Sequence, residues 1–397
     1  MAGTGGDIVG EDVEAGALDL KCHPRVLYGA DLREALPDLA QERRWGRVLP
    51  VVTRSLMGVP IVVEALARLG VNALDPFIDL VPHTPFDVVL TLVERIQEAR
   101  ADAVAVVGGG SAIDAVKIAA LAAATRVTDA ESLLALRAGA GADGVQQPSP
   151  GARTEPAIVA VPTTLSGAEF GLIGGATQGG IKHLFRADTL APDVVVYDPA
   201  LALHTPLGLW LSTGIRAVDH AAETVLSRDA NPFTDALALR ALRLLRAGLE
   251  AVARDPRDPA ARHQGQLGVW LAAAGIGRVR YGASHGIGHQ LGAVAGVPHG
   301  ITSCVLLPAV LTFNAPAAPN RDSQIAAALG RPNASAAEAV RDLVIALGLP
   351  SRISELGVVK ADLTRIAETS LGNAFVRANL RPIPGVDDLM AILEMAW

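Results

Sequence analysis

From Arg25 to Asp198, short β-branched runs alternate with stretches in which apolar residues return every three or four positions. The runs at 47–53, 103–107, 158–161 and 194–197 are apolar almost throughout, as a strand covered on both faces must be. Strands separated by helical patterns predict a parallel sheet flanked by helices. After Leu201 the strand pattern stops, and helices are expected over 231–254, 258–278, 336–347 and 386–395. Pro232 near the start of one and Asp258-Pro259 at the start of another are helix-opening signals. The chain is therefore expected to divide into an α/β domain over 25–199 and an all-helical domain over 200–397. Residues 1–24, Gly-rich and acidic with weak periodicity, read as a poorly ordered leader. Residues 126–155 are rich in Gly, Ala, Pro and Gln, with the composition of a surface loop joining two elements of the sheet domain. No repeat is visible at periods of about 20 to 50 residues.

Composition narrows the function classes. With 397 residues, half of them hydrophobic, the chain can bury two cores, and the cleft between them is where a ligand is expected. Its 34 basic and 41 acidic residues give a net charge of -7. With no basic run to follow a phosphate backbone, nucleic acid is excluded as a partner. No apolar stretch reaches about 18 residues without a charge or helix breaker, so no membrane span is expected. Cys22 and Cys304 are far apart and no secretory signal pattern stands near the start, which reads as a reduced, cytoplasmic chain.

One segment carries a specific chemistry. Val104 to Val107 is a buried strand that runs into Gly108, Gly109 and Gly110 and then into a helical pattern with Ser111, Asp114 and Lys117. Glycines let backbone N–H groups approach a pyrophosphate, and a helix N-terminus favours its charge. The full string GGGSAIDAVK is similar to the GGGSxxDxxK signature of the group III, iron-containing alcohol dehydrogenases and their dehydroquinate-synthase-like relatives. A second string, PTTLSGAE from Pro162 to Glu169, resembles the family's PTTxxSGxE segment. The resemblance implies that Thr163, Thr164 and Ser166 line the cofactor and that Lys182, before Pro192-Asp193 and Asp198-Pro199, belongs to the same site. It implies the family fold: a Rossmann-like α/β dinucleotide-binding domain followed by an all-α catalytic domain, with homodimeric assembly. Arg54 stands near the family's frequent Asp at the end of the second strand, where its planar fork can pair with a 2′-phosphate. This puts NADPH ahead of NADH.

Metal-dependent members hold Fe2+ or Zn2+ with one Asp and three His, drawn from TGxDAxxHAxE and GxxHxxxHxxG…PHG strings. Here these read TGIRAVDHAAE, from Thr213 to Glu223, then GASHGIGHQLG and Pro298-His299-Gly300. By this correspondence the three histidines are His220, His285 and His299, and the carboxylate position is Arg216. A guanidinium offers no lone pair and repels a dication. Asp219 is a poor substitute, because the residue next to His220 on a helix points about 100° away from it. The maleylacetate reductases, as a family, lack the same Asp and work without a metal, and the resemblance to them runs from Pro24 onward. It is incomplete: they usually carry Asn at the lost position and HHxxCH where this chain has SHGIGH. His289 matches the family histidine thought to relay a proton.

The expected activity is NAD(P)H-dependent hydride delivery to a carbonyl or activated C=C of a small, carboxylated metabolite, without a metal. Arg216, His220, His285, His289 and His299 are the expected catalytic set. Three alternatives stay open: a metal-dependent alcohol dehydrogenase using His220, His285 and His299, a non-catalytic nucleotide-binding protein, and a dehydroquinate-synthase-like lyase.

Overall fold

The computed structural model describes residues 24–81, 84–139 and 156–397. The expected leader therefore lies outside the described residues except for Pro24, as do residues 140–155 of the expected loop. Five parallel strands form the main sheet: β1 (Arg25–Tyr28), β2 (Val48–Val52), β3 (Ala103–Gly108), β4 (Ala157–Pro162) and, later in the chain, β7 (Val194–Tyr197), in the order β1-β7-β4-β3-β2. Every residue of β2, β3 and β7 is buried, which accounts for their unbroken apolar sequence. Helices α1 (Leu32–Arg43) and α2 (Pro60–Leu69) cover one face. Helices α3 (Phe86–Ala99) and α4 (Gly110–Ala124) cover the other.

Two elements depart from the expectation. Within 126–155, residues Ala130–Ala135 form a short helix, α5, started by a capping box in which Asp129 accepts from Ser132 N and the Ser132 hydroxyl answers. Between β4 and β7 an antiparallel hairpin appears, β5 (Ile173–Gln178) with β6 (Ile181–Arg186), pairing Thr177 with Lys182. Its turn is Gly179-Gly180, both with positive φ (56° and 78°), which a two-residue loop of the hairpin type requires.

After α6 (Pro199–Ala202) the chain is helical: α7 (Leu207–Leu226), α8 (Pro232–Arg254), α9 (Pro259–Ala272), α10 (Ala283–Ala295), α11 (His299–Asn314), α12 (Pro319–Ala328), α13 (Ala336–Ala346), α14 (Asp362–Leu371), α15 (Ala374–Ala378) and α16 (Val386–Ala396). The helix expected over 258–278 ends early, at Ala272, and a 3-10 turn Ala273–Gly275 follows. Glycine is required where this turn meets α7, because a Cβ on Gly275 would lie 1.9 Å from Thr224 Oγ1. Helix α11 is apolar on all sides because nearly all of it is buried within the helical half.

Lys117 joins the parts of the α/β half. It is fully buried, and its Nζ donates to the carbonyls of Ala168 (3.0 Å) and Ile173 (2.6 Å). The PTTLS segment is held against the helical half in turn, by Thr205 Oγ1 on the Thr163 carbonyl and by Leu165 N on Thr213 Oγ1 at 3.1 Å. The largest apolar cluster consequently runs without a break from the sheet and α4 into α7, α8 and α9.

Candidate active site

The glycine loop and the PTTLS segment pack directly against each other. A Cβ on Gly109 would lie 3.2 Å from Thr164 Cγ2, and one on Gly110 2.9 Å from Ser166 Oγ. A Cβ on Gly108 would meet Thr53 Oγ1 at 2.4 Å, so Gly108 and Gly110 are needed for this packing, while Gly109 is only crowded. Gly109 is the N-cap of α4 and no side chain caps the first turn, which leaves N–H donors there for an anionic group. Ser111 is exposed beside this turn, and its carbonyl accepts from Thr84 Oγ1. Asp114 spends Oδ2 on the Gly175 N–H at 3.1 Å, a bond that ties α4 to β5. Lys182 lies across Gly175, where it would collide with any Cβ, and its charge reaches His289 in the other half. Arg54 is exposed just past β2 and pairs with Asp79 at 2.6 Å, an acidic residue that the sequence reading did not single out.

In the helical half, α7 supplies Arg216, Asp219, His220 and Glu223 at helical spacing, with His220 and Glu223 buried on one face. His285, at the start of α10, sits between two of them. Its Nδ1 is 2.6 Å from Glu223 Oε2 and its Nε2 is 3.0 Å from His220 Nδ1. Glu223 also accepts the backbone N–H groups of Gly282, Ser284 and His285. With Glu223 ionised, His285 Nδ1 must donate to it, so His285 Nε2 accepts from His220. His289, one turn further on α10, is only partly buried, and its ring lies 5.6 Å from that of His299. His299 opens α11 and is exposed. The structure thus gathers all five expected catalytic residues at one place.

Burial lowers the pKa values of His220, His285 and His289 well below the ordinary imidazole value. The Arg216 cation pushes all three in the same direction, so the imidazoles are neutral at pH 7. The carboxyls of Asp219 and Glu223 go the other way, raised by burial. Arg216 itself is lowered by burial and held up by Asp219 and Glu223. Two aromatic residues complete the walls: Tyr281, with its ring 4.4 Å from that of His285, and Phe375 of α15, 5.3 Å from the His289 ring.

Asp219, Glu223 and His285 bring potential ligand atoms within 4.8 Å of one another. Most of those atoms are engaged. Asp219 Oδ2 takes the hydroxyls of Ser284 and Ser303, Glu223 takes the bonds described above, and Arg216 Nη1 stands 3.5 Å from Asp219 Oδ2. A dication there would displace these bonds and face a fixed positive charge, although Asp219 Oδ1 has no hydrogen-bond partner among the described residues.

Comparison with known proteins agrees with this architecture. Residues 23–199 match the family Iron-containing alcohol dehydrogenase, and residues 210–397 match Fe-containing alcohol dehydrogenase family, C-terminal. A maleylacetate reductase of Rhizobium sp. strain MTP-10005 is 33% identical over 79% of this chain and 80% of its own. The crystal structure of a maleylacetate reductase from Agrobacterium tumefaciens superposes with a TM-score of 0.82 at 29% identity, covering 97% of this chain and 98% of that one. In fold alone, the chain is also similar to a sulfoacetaldehyde reductase from Bifidobacterium kashiwanohense solved with NAD+, at TM-score 0.85 and 22% identity, over 96% and 98% of the two chains. The chain belongs to the iron-containing alcohol dehydrogenase family, in its maleylacetate-reductase-like branch, and is an NAD(P)-dependent oxidoreductase.

Proposed function

We propose that this chain reduces a carbonyl or activated C=C of a small carboxylated metabolite with NADPH or NADH and without a metal, Arg216 standing in for the metal's charge. The observation that carries the reading is Arg216 itself, at the position of the family's carboxylate ligand, 11% exposed and within electrostatic reach of His220, His285 and His289. The donor set that remains suits a metal badly. His285 Nε2 and His220 Nδ1 are bonded to each other, and arginine stands at the sequence position of the family's carboxylate ligand.

The nicotinamide, when bound, supplies the hydride. The residues around it have three tasks. Gly108 to Ser111, with Thr163, Thr164 and Ser166, hold the nucleotide's phosphates and sugar, and Lys182 adds positive charge. Arg216 donates to the substrate oxygen and stabilises the charge that grows on it as hydride arrives. His289, at the edge of the cluster, relays a proton from solvent to that oxygen or to the neighbouring carbon, accepting at one ring nitrogen as it donates from the other so that the ring stays neutral. Tyr281 and Phe375 keep water from the reacting atoms.

Charge-assisted hydrogen bonds of this kind lower a barrier by roughly 2 to 4 kcal/mol, or about 30- to 1000-fold in rate. Arg216→Ala should lose turnover by that factor while keeping nucleotide affinity, and chelators should leave the wild type active. Maleylacetate, named by the relatives, is the first substrate to assay. Stoichiometric metal in protein purified without a chelator, with activity lost on chelation, would refute the metal-free reading.

A further inference from the structure

A guanidinium that acts on one substrate atom must be fixed in direction as well as in place, and arginine has a long, freely rotating stem. Two groups fix this one. Arg216 Nη1 donates to Ser303 Oγ at 3.1 Å, and Ser303 Oγ donates to Asp219 Oδ2 at 2.6 Å, an oxygen that lies 3.5 Å from the same Nη1. Asp219 is itself held: it is fully buried on α7 and receives Ser284 Oγ from α10 at 2.8 Å as well as Ser303 from α11. One carboxylate oxygen thus gathers three helices around the Arg216 head group. The bonds that Arg216 makes to described residues run through Nη1, leaving its Nε and Nη2 edge for a ligand. That edge is the pair of parallel donors that takes a carbonyl oxygen or a carboxylate side-on.

We propose that Asp219 is a positioning residue for Arg216: with Ser303 it clamps Nη1 and turns the Nε/Nη2 edge of the guanidinium toward the substrate. The inference rests on the catalytic reading of Arg216. It gives Asp219 a task that neither the family strings nor its place beside His220 suggests. The buried carboxylate also offsets the cost of holding a cation among neutral imidazoles, which a hydroxyl or amide there would do less well.

The test uses Asp219→Asn, which keeps the shape and an oxygen acceptor, and Ser303→Ala, which removes the bridge without touching a charge. Each is made in the wild type and in Arg216→Ala. Side-chain 15N NMR of the Arg216 guanidinium, identified by its loss in Arg216→Ala, reads the clamp without any substrate. Slow-exchanging, separate Nη signals are expected in the wild type, and their collapse in both variants. In maleylacetate turnover, Asp219→Asn should cut kcat about 10- to 100-fold with the NADPH Kd within about twofold. The same change in Arg216→Ala should cost less than about twofold, since no guanidinium is left to orient. Unchanged Nη signals, or equal losses in both backgrounds, overturn the clamp and leave a buttress between helices. Full turnover by Arg216→Ala overturns the reading of Arg216 and the role of Asp219 with it. Should Asp219→Asn not fold, Ser303→Ala carries the same comparison.

Discussion

Arg54 and Asp79 form a direct ion pair at 2.6 Å on the surface, both side chains about 70% exposed. An exposed pair of this kind is worth about 0 to 1 kcal/mol, so a 2′-phosphate can take Arg54 from Asp79 at little cost. Arg54→Asp should therefore shift preference toward NADH, about tenfold or more in the ratio of the two Kd values, and Asp79→Asn should shift it the other way by freeing Arg54. If the ratio stays put in both, the pair is a bystander on the surface. Arg216 with His220 and His285 with His289 were legible because a single helix fixes the spacing of each pair, and His299 because it stands in the Pro298-His299-Gly300 string. Asp79, Tyr281 and Phe375 were not, since each reaches the site through the fold rather than along one motif. In the sequence Asp219 stands out only as a candidate metal ligand, because its bonds to Ser284 and Ser303 depend on how α10 and α11 pack against α7.

The strand-loop-helix unit β3 to α4 was readable because β3 is buried on both faces and three glycines mark its end. The β5–β6 hairpin was obscured by β5 itself, Ile-Gly-Gly-Ala-Thr-Gln, which lacks the β-branched run that marks the other strands, although Gly179-Gly180 was a usable turn signal. The short α5 depends on a local capping box within a stretch whose overall composition reads as loop. The glycine unit lends itself to a test that separates binding from folding. Gly109 has φ -85°, which any residue adopts, and an acidic side chain at a helix N-terminus is favourable to the helix. Gly109→Asp should thus fold, while its Cβ crowds Thr164 and its charge repels a pyrophosphate. Nucleotide affinity should fall at least about 100-fold, close to 3 kcal/mol, with little change in Tm. Unaltered NADPH binding in the folded variant would remove the phosphate site from this loop.

At the scale of the whole molecule the sheet and the helical half share one apolar cluster, and a buried carboxyl lies where they meet. Glu169 is fully buried in the 3-10 turn after the PTTLS segment; its Oε1 accepts the Tyr197 hydroxyl at 2.6 Å and its Oε2 has no hydrogen-bond partner among the described residues. Burial pushes its pKa up to about 7, against the pull of Tyr197 and Lys117, from an ordinary 4.5. Below about pH 4.5 folded and unfolded chains both carry the proton, and Glu169 costs nothing. Between about 4.5 and 7 the unfolded chain releases it while the folded chain keeps it, so stability falls as pH rises through this window. Above 7 the loss is complete, and the difference between the two values corresponds to about 3 kcal/mol at most. Glu169→Gln keeps an acceptor for Tyr197 and removes the titration, though Lys117 loses an attractive neighbour. Relative to the wild type the variant should gain stability between pH 5 and pH 8, by about 1 to 3 kcal/mol in urea unfolding, and match it near pH 4.5. Parallel stability curves for the two proteins across that range would mean that Glu169 does not carry its proton into the folded state at neutral pH.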